Sequence, residues 1–95
     1  NIMREKDYQT KIIKRLEAEG YYCLKLIKTN KNGIPDIVAL KPDEVIFIEC
    51  KLPNGKLSEL QKYRIEELNN KGLKAFVSYG NEIKDFPNQL DEAEF

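Results

Sequence analysis

The 95 residues carry 16 Lys and Arg against 16 Asp and Glu, two cysteines and no histidine, so the formal net charge is zero. That length builds one domain around one modest core, and the lack of histidine excludes Ser-His-Asp triads, Cys-His proteases, HExxH metalloproteases and His-dependent nuclease chemistry. No apolar run approaches the ~20 residues of a membrane span, and Met3 is followed by charged residues instead of the apolar stretch of a signal peptide, which reads as a cytosolic protein with no membrane attachment.

Residues 4–19 read as an amphipathic helix stopped by Gly20. At about 100° per residue, Glu5, Gln9, Ile12 and Leu16 fall within about 40° of one line, with Tyr8 and Ile13 flanking it. Lys6, Lys11, Lys14, Arg15 and Glu17 face away. Glu5 and Gln9 therefore occupy the N-terminal end of the stripe that packs on the rest of the fold. An acid there is either a first-turn carboxylate favoured by the helix dipole or a group with a partner on the sheet.

Residues 21–27 alternate as a first strand, and residues 28–33 follow as a polar loop holding Lys28 and Lys31 and ending in Asn32-Gly33. This loop leads into the Asp36 strand and should overhang it. It is either a phosphate-contacting loop or a plain soluble connection. Residues 34–40 and 45–51 are two Val- and Ile-rich runs, each interrupted by a carboxylate. Lys41-Pro42-Asp43-Glu44 between them suits a type I turn, with Pro42 at the second position. A hairpin closed there pairs Lys41 with Glu44 and, counting back, Asp36 with Glu49. Alternation then puts Asp36, Glu49 and Lys51 on one face. Opposed like charges destabilise a sheet, so two carboxylates at that spacing call for something positive. Lys51 with a divalent cation would supply it.

After a turn through Pro53-Asn54-Gly55, Ser58 opens a second helix that Lys71-Gly72 ends. Ser58 and Gln61 have capping-box spacing; Gln61 serves either that cap or the site. Ile65 and Leu68 continue its face, with Leu60 and Tyr63 beside it. Residues 73–79 form a fourth strand, reached by a right-handed crossover and so parallel to the third. The order is helix, three-strand meander, helix, strand. Cys23 and Cys50 would lie two strand spacings apart, roughly 9–10 Å, too far for a disulfide whose Cα atoms sit within about 7 Å. Both read as small buried hydrophobes, and two cysteines cannot build a zinc site. Residues 81–95 hold five acids against Lys84, a local net of −4 that leaves +4 on residues 1–80. The whole is one domain over residues 1–95, with a core over about 4–80 and an acidic C-terminal extension.

Gly33-Ile34-Pro35-Asp36, followed about a dozen residues later by an apolar strand ending Glu49-Cys50-Lys51, resembles the PD-(D/E)xK nuclease superfamily. More narrowly, residues 5 to about 80 are similar to the small stand-alone VRR-NUC domains of phages and bacteria. The first helix of that family carries a Glu and, four residues on, a Gln, which Glu5 and Gln9 match. Its second helix opens with a Gln about ten residues after the ExK lysine, which Gln61 matches.

The resemblance implies a restriction-endonuclease-like αβββαβ core with a mixed four-stranded sheet. It also implies a divalent-metal-dependent deoxyribonuclease of the bacterial or phage-infected host cytosol. Asp36, Glu49, the Cys50 carbonyl and Glu5 would hold Mg²⁺ or Mn²⁺, hard ions that take oxygen ligands. Lys51 and Gln61 would complete the catalytic set. Gln9, Lys28, Lys31, Lys56 and Lys62 would contact DNA. Stand-alone members resemble dimeric junction-resolving enzymes, which implies a homodimer acting on branched DNA such as four-way junctions, with Tyr21, Tyr63 or Phe86 as candidate contacts. Two other classes compete: a non-catalytic DNA-binding module on the same fold, and a small phosphoesterase.

Overall fold

Apolar residues at every second position of the central hairpin turn one pleat face of a sheet inward. In a computed structural model describing residues 4–80, helix α1 (Glu5–Ala18) covers that face, and the chain continues through β1 (Tyr22–Lys25), β2 (Ile37–Lys41) and β3 (Glu44–Lys51). Helix α2 (Glu59–Asn70) and β4 (Lys74–Tyr79) complete the element order. The acidic extension expected over residues 81–95 lies outside the described residues.

The sheet order is β1-β2-β3-β4, antiparallel except for the parallel β3–β4 pair that α2 connects. Mixed pairing follows from the connections, since a tight turn forces antiparallel neighbours and a helical crossover permits parallel ones. Lys41 pairs with Glu44 and Ile37 with Ile48, the register that the sequence predicts. The turn differs from expectation. Asp43 has φ +67°, which a type I turn does not allow at its third position and a type II turn requires.

Ile37, Ala39, Ile46, Ile48 and Cys50 point to one face and bury Tyr8, Ile12 and Leu16 of α1 against them. Each fully buried side chain of this kind contributes about 1.5–3 kcal/mol from apolar burial. The buried line of α1 runs through positions 8, 12 and 16, so Tyr8 and not Gln9 is its N-terminal anchor. The ring fills the space an amide would leave, and its hydroxyl is not stranded: it bonds Ser78 Oγ at 2.6 Å and donates to the Tyr79 carbonyl at 2.8 Å.

The first strand is shorter than residues 21–27. Tyr21 folds back onto the core, with Lys41 Nζ 4.2 Å from its ring centroid, and is therefore occupied as a packing group. Pairing nevertheless continues past β1, because Leu26 N–H donates to the Asp36 carbonyl at 2.7 Å. Pro35, which has no N–H, is buried immediately before Asp36, and the β2 ladder begins only beyond it. Cys23 and Cys50 are both free thiols; Cys50 is buried, whereas Cys23 is only partly so. Burial pushes the Cys23 thiol up to about 11 and the Cys50 thiol higher still.

Candidate active site

The face opposite α1 carries the charge. Glu49 lies between Ile48 and Cys50 in sequence, so its side chain projects to the α2 side, where it is 1% exposed. A carboxylate buried so deeply needs partners, and two reach the same oxygen. Gln61 Nε2 donates to Glu49 Oε2 at 3.2 Å, and Lys51 Nζ lies 3.8 Å from that atom. Lys51 is two residues along the same strand, so the alternation that orients Glu49 orients it too. Glu49 Oε1 is buried and has no hydrogen-bond partner.

Asp36 stands next to Glu49, one step beyond the Ile37–Ile48 pair. Its carbonyl accepts the Leu26 N–H just past β1, and its Oδ2 accepts the Cys50 N–H at 2.9 Å. The two acids disfavour each other's charge. Burial first, and the Asp36 charge second, push the Glu49 carboxyl far above the ordinary carboxylate range; Lys51 opposes the rise without cancelling it.

Glu5 adds a smaller upward push on both Glu49 and Cys50, which sets it on the same electrostatic neighbourhood from the first turn of α1. Among the described residues no three Asp, Glu, Cys or His side chains gather closely enough to form a preassembled metal cluster, so the expected side-chain set of Asp36, Glu49 and Glu5 is not drawn together at one point. The Cys50 thiol faces the core, leaving its carbonyl as the only part of that residue suited to an oxygen-seeking ion. Gln9 is partly buried on α1, away from the buried line.

Gln61 makes both the cap contact and a contact to Glu49. Ser58 N–H donates to Gln61 Oε1 at 2.9 Å, and Gln61 N–H donates to Ser58 Oγ at 3.1 Å, a reciprocal capping box. A Glu would close that box equally well, but only a Gln has an N–H left to offer Glu49. The residue type is explained by the site and the position by the helix.

Sequence reasoning missed what holds the loop of residues 28–33. Arg64 Nε donates to the Asn32 carbonyl at 2.8 Å while its Nη1 pairs with Glu67 at 3.0 Å. Gly33 sits so close to α2 that a Cβ there would lie 2.7 Å from Leu60 Cγ. An Arg three residues before a Glu was the available signal, but it pointed only to a local helix pair. Lys28, Thr29, Lys31 and Asn32 line an open pocket on this loop, and Lys56 and Lys62 are exposed, with Lys62 Nζ 3.2 Å from Glu59.

The family model of the VRR-NUC domain matches residues 3–82. The chain belongs to the VRR-NUC domain family. Over 61 residues this VRR-NUC domain is 30% identical to the protein named "Putative nuclease p44" of Acyrthosiphon pisum secondary endosymbiont phage 1, covering 63% of this chain and 66% of that protein's length. A solved VRR-NUC domain structure superposes with a TM-score of 0.78 at 23% identity, across 98% of this chain and 100% of that one. Hjc of Archaeoglobus fulgidus, a Holliday junction resolvase, superposes with a TM-score of 0.62 at 18% identity, across 81% of this chain and 64% of that one. At those identities the two structures speak for the fold: a mixed four-stranded sheet with two helices, shared by the VRR-NUC domain and the resolvase.

Proposed function

We propose that this VRR-NUC domain is a Mg²⁺- or Mn²⁺-dependent DNA endonuclease that acts as a homodimer on branched DNA. The observation that carries the reading is Glu49 Oε1, a buried carboxylate oxygen without a partner beside a second carboxylate. That donor chemistry fits a hard divalent cation, which Asp36, Glu49, Glu5 and the Cys50 carbonyl would hold. When bound, the ion would supply a water of lowered pKa and neutralise charge on the scissile phosphate.

The chain's own groups do the rest. Gln61 and Lys51 occupy Glu49 Oε2 and so orient the carboxylate. Lys51 Nζ, at the edge of the carboxylate pair, orients the attacking water and stabilises the charge that builds on the phosphoryl oxygens. Water gives up a proton to solvent as its oxygen bonds phosphorus, the P–O bond to the departing sugar breaks, and that sugar oxygen takes up a proton from solvent. Lys28 and Lys31 on the clamped loop, with Lys56, Lys62 and Gln9, contact backbone phosphates.

Branched DNA as substrate is supported by the likeness to a junction resolvase fold and by the need for two symmetric sites to cut both strands. Exposed Tyr22 at 67% and Ile27 at 88%, beside Leu24, offer apolar area for self-contact on the β1 edge. Tyr63 is exposed as well, whereas Tyr21 is packed inward and Phe86 lies outside the described residues. Two free thiols suit a reducing cytosol, and no described helix is long and apolar enough to cross a membrane.

The test is cleavage of a four-way junction and of linear duplex, with Mg²⁺, with Mn²⁺ and with chelator. The junction should be cut preferentially and only with the ion, and Glu49→Ala and Lys51→Ala should each lose on the order of 10²-fold or more. Glu49→Ala cutting at the wild-type rate would sink the site assignment.

A further inference from the structure

We propose that the backbone N–H of Ser58 is a positioning group for the site, acting through Gln61 on Glu49. The inference rests on the reading of Glu49 as an ion ligand. Its basis is two hydrogen bonds in series, Ser58 N–H to Gln61 Oε1 at 2.9 Å and Gln61 Nε2 to Glu49 Oε2 at 3.2 Å, beside the separate cap bond from the Gln61 backbone N–H to Ser58 Oγ at 3.1 Å.

An amide side chain has one accepting end and one donating end. Ser58 N–H can only donate, so it takes the Gln61 oxygen; the Glu49 carboxylate accepts, so it takes the nitrogen. Turning the amide over would set two donors against each other at one end and two acceptors at the other. The amide is therefore fixed from both sides, and it holds the buried carboxylate by Oε2. Glu49 Oε1 is left buried and without a hydrogen-bond partner. The helix start thus does more than satisfy its own first turn: it decides which oxygen of Glu49 is held and which is left without a partner. The Ser58 hydroxyl has no part in this step, since it accepts from the Gln61 backbone and not from its side chain.

Two substitutions separate the hydroxyl from the N–H. Ser58→Ala removes only the hydroxyl. Ser58→Pro removes both, at a residue whose φ of −73° is one that proline adopts. The first readout needs no ion: hydrogen exchange of the Gln61 side-chain amide protons by NMR, assigned through their disappearance in Gln61→Met. Protection should be present in the wild type, kept in Ser58→Ala, and reduced about fivefold in Ser58→Pro, the change expected from one ordinary hydrogen bond. The second readout is Mn²⁺ affinity by calorimetry. Gln61→Met and Ser58→Pro should weaken it by about fivefold, with Ser58→Ala within about twofold of wild type.

Unprotected Gln61 protons in the wild type would overturn the proposal. So would a Ser58→Ala protein that loses as much Mn²⁺ affinity as Gln61→Met, and that comparison decides even where Ser58→Pro does not fold. A wild type that binds no Mn²⁺ yet gives the expected exchange pattern would remove the nuclease reading and leave the Ser58–Gln61–Glu49 relay standing.

Discussion

At the scale of single residues, Glu49 is where folding and chemistry conflict. Its carboxyl is pushed up to about 8, chiefly by burial and then by Asp36. A group with a raised folded-state pKa contributes stability that is complete below its unfolded value and is lost as pH rises through the folded value. The ion-free protein should therefore lose thermal stability between about pH 5 and pH 9 through this group, and Glu49→Gln should flatten that slope. Melting curves across the range check it; equal slopes in both proteins would remove Glu49 as the source. Added Mn²⁺ should raise the melting temperature, since a ligand of the folded state stabilises it, and the rise should vanish in Asp36→Asn. The Asp36–Glu49–Lys51 set was legible because period and register are integers: a two-residue turn and alternation leave one answer. Tyr8 and Gln9 lie about 100° apart on α1, on either side of the line through Ile12 and Leu16, and the buried line runs on Tyr8's side, where its hydroxyl finds partners on β4. Glu5 was set on the inward stripe by helix periodicity and in the ligand set by resemblance, and its electrostatic effect on Glu49 and Cys50 marks it here.

At the scale of elements, two contacts tie the first half of α2 to its surroundings at the site: the hydrogen bond from Gln61 to Glu49 and the clasp between Arg64 and Asn32 one turn on. Neither is visible from a hydrophobic pattern, because α2 has no fully buried residue. Its placement depends on polar contacts across long sequence separation. Gly33 is the tightest of these points, combining φ +81° with the close approach of Leu60. Gly33→Ala should destabilise the fold by roughly 1–2 kcal/mol from the left-handed backbone alone, with a further steric cost against Leu60. Urea denaturation of Gly33→Ala and of Gly33→Ala with Leu60→Ala separates the two. The double variant should recover the steric part and retain the backbone part, and a single variant as stable as wild type would show that the loop does not rest on α2. For comparison, Leu16→Ala in the α1 core should cost about 2–5 kcal/mol.

At the scale of the molecule, zero net charge conceals a segregated sequence, with the excess of acids confined to residues 81–95. If Lys28, Lys31, Lys56 and Lys62 each meet a phosphate, log affinity for DNA should fall with log salt at a slope of about −3 to −4. Lys31→Ala should reduce that slope by roughly one. Fluorescence titrations at several salt concentrations measure it, and an unchanged slope would place the contact elsewhere. Light scattering at micromolar concentration should give twice the monomer mass, and a strict monomer would leave junction selectivity without its second site.

The register of the central hairpin has a consequence for descent. Asp36 and Glu49 share a face only because an unbroken count of residues separates each from the turn. Losing or gaining one residue inside either strand would rotate that acid to the α1 side, into the packed layer of Ile37 and Ile48. Lineages of this chain can therefore vary the length of the loop over residues 28–33 or the tip at Pro42-Asp43, whereas a single-codon deletion within β2 or β3 should be lethal to activity and to folding together. In these strands length itself decides which layer a side chain enters.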